Sequence, residues 1–121
     1  AIHSLSHPVG AIYNTHHGLT NAVFIPYVLK KNRVAIEEKI ISLSRYLNLE
    51  DKSFDGFMNW ILDLRKQLSI PHTLKELIND DSKFAEMSKM AKDDPSTGGN
   101  PIVLDVDDFL NLYSDSFDGI L

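Results

Sequence analysis

Ile36-Glu37-Glu38-Lys39-Ile40-Ile41-Ser42-Leu43-Ser44-Arg45-Tyr46-Leu47 decides the fold class. Ile36, Ile40, Leu43 and Leu47 recur at steps of four, three and four, with charged residues between them. That period places one apolar stripe along an α-helix. The same rule extends forward. Phe54, Phe57, Met58, Ile61, Leu62, Arg65 and Leu68 predict a helix from about Ser53 to Ser69, ended by Ile70-Pro71. Thr73-Leu74-Lys75-Glu76 is a capping box for a short helix. Asp81 or Ser82 is expected to cap the next, which carries Phe84, Met87 and Ala91. A loop follows over 94–101, the only glycine-rich stretch. A last helix begins near Asp105, with Asp107 and Asp108 in its positive first turn and Phe109, Leu112 and Tyr113 on its apolar side.

Working backward, His17 to Lys30 reads as a separate helix, with Pro26 predicting a kink and Lys30-Lys31 complementing its C-terminus. Asn14-Thr15 reads as a turn and N-cap. The first segment, to about Tyr13, contains Pro8, which lacks an amide hydrogen and disfavours helical angles at His7. A helix from Ile2 should therefore end or kink near His7. No alternating pattern is long enough for a sheet, so the expected fold is all-α and multi-helical, without an internal domain boundary. Burying these stripes at about 25 cal/mol per Å² can hold such a domain together.

Composition narrows the function classes. The 121 residues carry 12 Lys+Arg against 17 Asp+Glu, a net charge of −5, which argues against a nucleic-acid binder. No apolar run approaches the roughly 20 residues of a membrane-spanning helix. The absence of cysteine excludes disulfides, thiol nucleophiles and Cys-based zinc sites, and fits a reducing cytoplasm. The start, Ala1-Ile2-His3, has neither an initiator Met nor a signal-peptide pattern, so a processed or excised piece is expected.

Four of five histidines, His3, His7, His16 and His17, fall in the first 17 residues. Surface and capping roles are the ordinary reading of such residues. His3 and His7, at i and i+4, would lie about 5–6 Å apart on one helical face, the spacing of a helical chelate. In one straight helix His3 and His17 would stand about 21 Å apart. They could share a metal only if the chain bends, and Pro8, Gly10 and Asn14 offer places for that. Asn21, one turn beyond His17, could orient that imidazole or a bound water. His72 reads as an exposed turn residue, and the pairs Asp80-Asp81 and Asp107-Asp108 as helix-start acids. Trp60 lies one position off its helix's stripe.

The run His3-Ser4-Leu5-Ser6-His7-Pro8-Val9-Gly10, followed by His17-Gly18-Leu19-Thr20-Asn21-Ala22, resembles the signature of the iron-dependent (class III) alcohol dehydrogenases. Phe24-Ile25-Pro26-Tyr27-Val28-Leu29 with Asn32, and Thr97-Gly98-Gly99-Asn100-Pro101 ahead of an acidic helix start and Leu112-Tyr113, extend the likeness toward both ends. The resemblance implies the C-terminal helical domain of a dehydroquinate-synthase-like, two-domain oxidoreductase, with residues 1–121 as a partial metal-binding domain. The implied partner is an N-terminal nucleotide-binding domain that this chain lacks. A glycine-rich dinucleotide loop is not found, because Thr97-Gly98-Gly99-Asn100 follows a helix rather than a strand.

In such enzymes an Asp and three His hold one divalent metal, the first two ligands coming from an Asp-x-x-x-His segment earlier in the helical domain. The remaining two fall on His3 and His17. His7 falls where a proton-relaying or orienting histidine stands, and Ser96 where a residue lines the cleft. His16 replaces a frequent proline. The implied cofactors are Fe2+, with Zn2+ as the alternative, and NAD(P). The implied reaction interconverts a small primary alcohol and its aldehyde in a cytoplasmic homo-oligomer, with the isolated chain inactive. A different class remains beside it: a stand-alone helical partner-binding module with an incomplete metal site.

Overall fold

The computed structural model describes all 121 residues, with five α-helices, two short 3-10 turns and no strand. The helices are α1 (Ile2–Tyr13), α2 (His17–Tyr46), α3 (Phe54–Gln67), α4 (Phe84–Asp93) and α5 (Val106–Asp118). The 3-10 turns are Leu74–Glu76 and Pro95–Gly99.

The two helices expected over 17–30 and 36–47 are one helix of 30 residues. Lys30, Lys31, Asn32 and Arg33 lie inside it, so the two lysines do not cap a C-terminus. Lys31 instead forms an ion pair with Asp108 of α5. The join contains no glycine or proline, and nothing in it stops helical hydrogen bonding. Pro26 interrupts the ladder at one bond, yet it is buried, as are Phe24, Tyr27 and Val28, and the helix continues through it. Pro8 likewise lies inside α1 rather than ending it. Leu5, Pro8 and Val9 are buried on that helix. Each large apolar side chain so placed contributes about 1.5–3 kcal/mol, enough to offset one missing backbone bond.

Two apolar clusters share α2. The larger takes Leu5 and Val9 from α1, Val23, Phe24, Tyr27 and Val28 from the first half of α2, and Phe109, Leu112 and Tyr113 from α5. Phe84, Met87 and Ala91 of α4 and Leu74 close it. Here Tyr113 Oη donates to the Leu5 carbonyl at 2.8 Å, joining α5 to α1. The smaller cluster packs Ile40 against Phe54, Phe57 and Met58 of α3. Helix α3 is thus an arm on the second half of α2. Arg65, almost wholly buried, ties the arm's far end down by donating to the carbonyls of Pro71 and His72.

Caps follow the sequence in part. Ser53 accepts from Gly56 N, and Asp105 and Asp108 form a reciprocal capping box at α5. The Thr73/Glu76 box is present, but it starts only a 3-10 turn. The helix of Phe84 has no side-chain cap, because Lys83 holds the N-cap position and the Asp80 carboxylate turns back to Ser82 N. The segment expected as loop over 94–101 contains the Pro95–Gly99 turn, capped by Asp94.

Candidate metal centre

The junction between α1 and α2 builds the site. Asn14 adopts a left-handed conformation, φ 53°, and ends α1. Asparagine tolerates that region better than most residues. His16 then takes the N-cap position of α2, its Nδ1 accepting from Leu19 N at 3.4 Å. The expected cap at Asn14-Thr15 is therefore divided, with Asn14 closing one helix and His16 opening the next. This sharp reversal cancels the separation that a straight helix would impose on His3 and His17.

As a result His3, His7 and His17 each offer a ring nitrogen, and these atoms lie within 4.8 Å of one another. His17 Nε2 stands 3.1 Å from His3 Nδ1. The rings of His7 and His17 stack with centroids 5.2 Å apart. His3 and His7 keep the spacing expected on one face of α1, with centroids 5.9 Å apart. All three side chains are exposed. Both sequence alternatives, a His3/His7 pair and a His3/His17 pair, therefore meet at one point.

The surroundings orient the rings. Asn21 Nδ2 lies 3.0 Å from His17 Nε2, one turn along α2, while its Oδ1 is buried without a partner. With the amide donating, His17 Nε2 carries no proton, the state a metal ligand needs. His7 Nδ1 lies 2.7 Å from Asp94 Oδ2. Burial alone would raise the Asp94 carboxyl, but hydrogen bonds from His7 and from Ser96 N outweigh it and hold it below its ordinary value. Sequence reasoning missed Asp94, because its partner is 87 residues away and only the fold joins them. Ser96 is exposed on the Pro95–Gly99 turn and lines a cleft of about 340 Å³ together with His3, Val28, Leu29, Asn32 and Asn100. A larger cavity of about 430 Å³ lies between α2 and α5, around Lys30, Lys31 and Asp108, and contains none of these histidines. Donor atoms, rather than volume, locate the site.

Two nitrogens bound to one tetrahedral ion at about 2.0–2.1 Å stand roughly 3.4 Å apart. The 3.1 Å between His3 Nδ1 and His17 Nε2 is close to that bite. Imidazole nitrogen suits zinc, iron, copper and nickel and does not by itself choose among them. The residues present thus fit a divalent transition metal. They do not fit a dinucleotide, since the glycines of 97–100 follow α4 and no strand is available.

An all-helical domain that brings three solvent-facing imidazoles together has the donor set to hold a transition metal. The profile of the Fe-containing alcohol dehydrogenase family, C-terminal, matches residues 1–117, and the chain belongs to that family. It is 30% identical over 119 residues to the NADPH-dependent butanol dehydrogenase of Clostridium saccharobutylicum, covering 92% of this chain and 31% of that protein. It is 28% identical to the lactaldehyde reductase of Escherichia coli K12, covering 93% of this chain and 31% of the relative. The structure of an iron-containing alcohol dehydrogenase from Thermococcus thioreducens superposes with a TM-score of 0.85 at 27% identity, over 98% of this chain and 32% of that one. A 1,3-propanediol oxidoreductase structure gives a TM-score of 0.88 at 24% identity, over 96% and 32%, and supports the fold. The chain spans about a third of the length of these relatives. No helix is long and apolar enough to cross a membrane.

Proposed function

We propose that this chain is the metal-holding helical part of an oxidoreductase that interconverts a small primary alcohol and its aldehyde with NAD(P)(H). The observation that carries the reading is the meeting of His3, His7 and His17 within 4.8 Å in a member of this family. His3 Nδ1 and His17 Nε2 are the metal ligands, with iron as the first choice and zinc as the second. A divalent ion supplies Lewis acidity toward an alcohol or carbonyl oxygen, and a nicotinamide accepts or supplies hydride. Asn21, whose amide lies 3.0 Å from His17 Nε2, orients that ring beside His3. His7 is the catalytic auxiliary: its free ring nitrogen takes the proton that leaves the alcohol and returns it in the reverse direction. Ser96 lines the substrate side of the cleft beside His3. The nucleotide is held by a further nucleotide-binding domain, as the relatives' greater length supports, and the isolated chain does not turn over. In the complete cytoplasmic enzyme this part associates with further copies.

Titrating the 121-residue chain with Co2+ while recording its visible spectrum tests the ligand assignment. The wild-type chain should bind Co2+ weakly through nitrogen ligands. His3→Ala and His17→Ala should each lower affinity at least tenfold, and His7→Ala should retain it. Unchanged binding by His17→Ala sinks the assignment. Loss of binding with His7→Ala would make the His3/His7 pair the chelate instead.

A further inference from the structure

We propose that Asp94 is the positioning residue of His7: it fixes the proton on Nδ1 and so leaves Nε2 as the ring's only acceptor. The argument begins with charge. An ordinary carboxyl is ionised well below neutral pH, and Ser96 N already donates to Oδ1, so near neutral pH Asp94 is a carboxylate and can only accept. The 2.7 Å contact to His7 Nδ1 therefore requires that Nδ1 donate. A neutral imidazole has one N–H, so Nε2 is then unprotonated. That nitrogen belongs to a ring whose centroid lies 5.9 Å from His3 and 5.2 Å from His17.

The carboxylate is itself fixed. Its second oxygen, Oδ1, accepts from Ser96 N at 2.8 Å and caps the Pro95–Gly99 turn. The turn is sewn to α1 at three places. Asp94 meets His7, Thr97 Oγ1 lies 2.8 Å from Ser4 Oγ, and Asn100 Oδ1 accepts from the Ala1 nitrogen at 3.4 Å. The residues step by three along both segments in opposite directions. Asn100 is also clasped to Asn32 of α2 by two amide hydrogen bonds, at 2.9 and 2.8 Å. The Asp94 side chain keeps only 13% exposure, against 46% for His7, so the anchor is sheltered and the ring it holds is open. An isolated ion pair on a surface contributes little. A carboxylate fixed on both oxygens instead sets the orientation and tautomer of the imidazole it touches.

The test separates tautomer from loop structure. The 121-residue chain, 15N-labelled at histidine and free of metal, is examined by long-range 1H–15N correlation about two pH units above the ordinary imidazole value. Wild-type His7 should show the Nδ1–H tautomer. Asp94→Ser keeps an oxygen to cap Ser96 N but removes the carboxylate, and should shift His7 toward Nε2–H. A wild-type His7 already in the Nε2–H form, or an Asp94→Ser chain with an unaltered tautomer, overturns the proposal. The wild-type spectrum decides even if the variant fails to fold.

The kinetic consequence rests on the oxidoreductase reading above. In the complete enzyme Asp94→Ser should lower kcat about 10–100-fold while KM and bound metal stay unchanged. An unchanged kcat, or activity lost in proportion to metal, would count against the role. The two readings fail separately. If Co2+ binding ignores His17→Ala while the spectra show the Asp94-dependent tautomer, the positioning role stands and the metal reading falls.

Discussion

Asn32 lies in the middle of α2 at 4% exposure, and its amide meets that of Asn100 in two reciprocal hydrogen bonds. Asn100 Nδ2 also donates to the Ile102 carbonyl. Replacing Asn32 by alanine strands part of a buried amide and should cost about 1–3 kcal/mol. A urea melt should show this as a lower midpoint with an unchanged slope. A loss of unfolding free energy below about 0.5 kcal/mol would mean that water replaces the lost partner. The histidines show which residue roles the sequence carried. The i, i+4 spacing of His3 and His7 was readable, and Asn21 was placed correctly one turn from His17. His16 was not read as a cap, because a histidine can serve as one only when the preceding turn aims its Nδ1 at Leu19 N. Asp94 was invisible for a related reason: its partner is set by tertiary packing alone.

At the scale of elements, Gly56 marks where α3 begins its approach to the preceding turn. A Cβ built there would stand 2.4 Å from the Asp51 backbone carbonyl. No side-chain movement can relieve a clash with backbone, so Gly56→Ala should destabilise by about 1–3 kcal/mol. The loss belongs to the arm formed by α3 and the second half of α2. Co2+ affinity of the folded variant should therefore match wild type, whereas a parallel fall in affinity would show that the arm supports the histidines. Element legibility followed the strength of the local signal. The stripes of α3 and α5 are plain in the sequence, because charged residues separate their apolar positions, whereas Asp108 reads only as a first-turn acid and the structure pairs it with Asp105 in a reciprocal box. The long α2 was divided in two because the stripe changes partners within it. Val23, Phe24, Tyr27 and Val28 face one cluster and Ile40 another. Pro8 does not end α1 near His7, since the helix runs on to Tyr13 with Pro8 itself buried.

At the scale of the whole molecule, one helix about 45 Å long spans two apolar clusters of unequal size. The all-α class was legible because the period is helical wherever apolar residues cluster. The division of the core was not, since a stripe does not reveal which helix covers it. That division predicts how the molecule opens. Amide hydrogen exchange should resolve two cooperative units rather than one. Amides of α3 and of α2 beyond about Ile36 should exchange through a low-energy opening in which the arm detaches. Those of α1, α5 and the first half of α2 should wait for global unfolding. A single protection level along all of α2 would contradict this. If the two levels are found, the imidazoles keep their mutual distances while a quarter of the chain comes and goes. Fluctuation is then confined to the end of the beam that carries no chemistry.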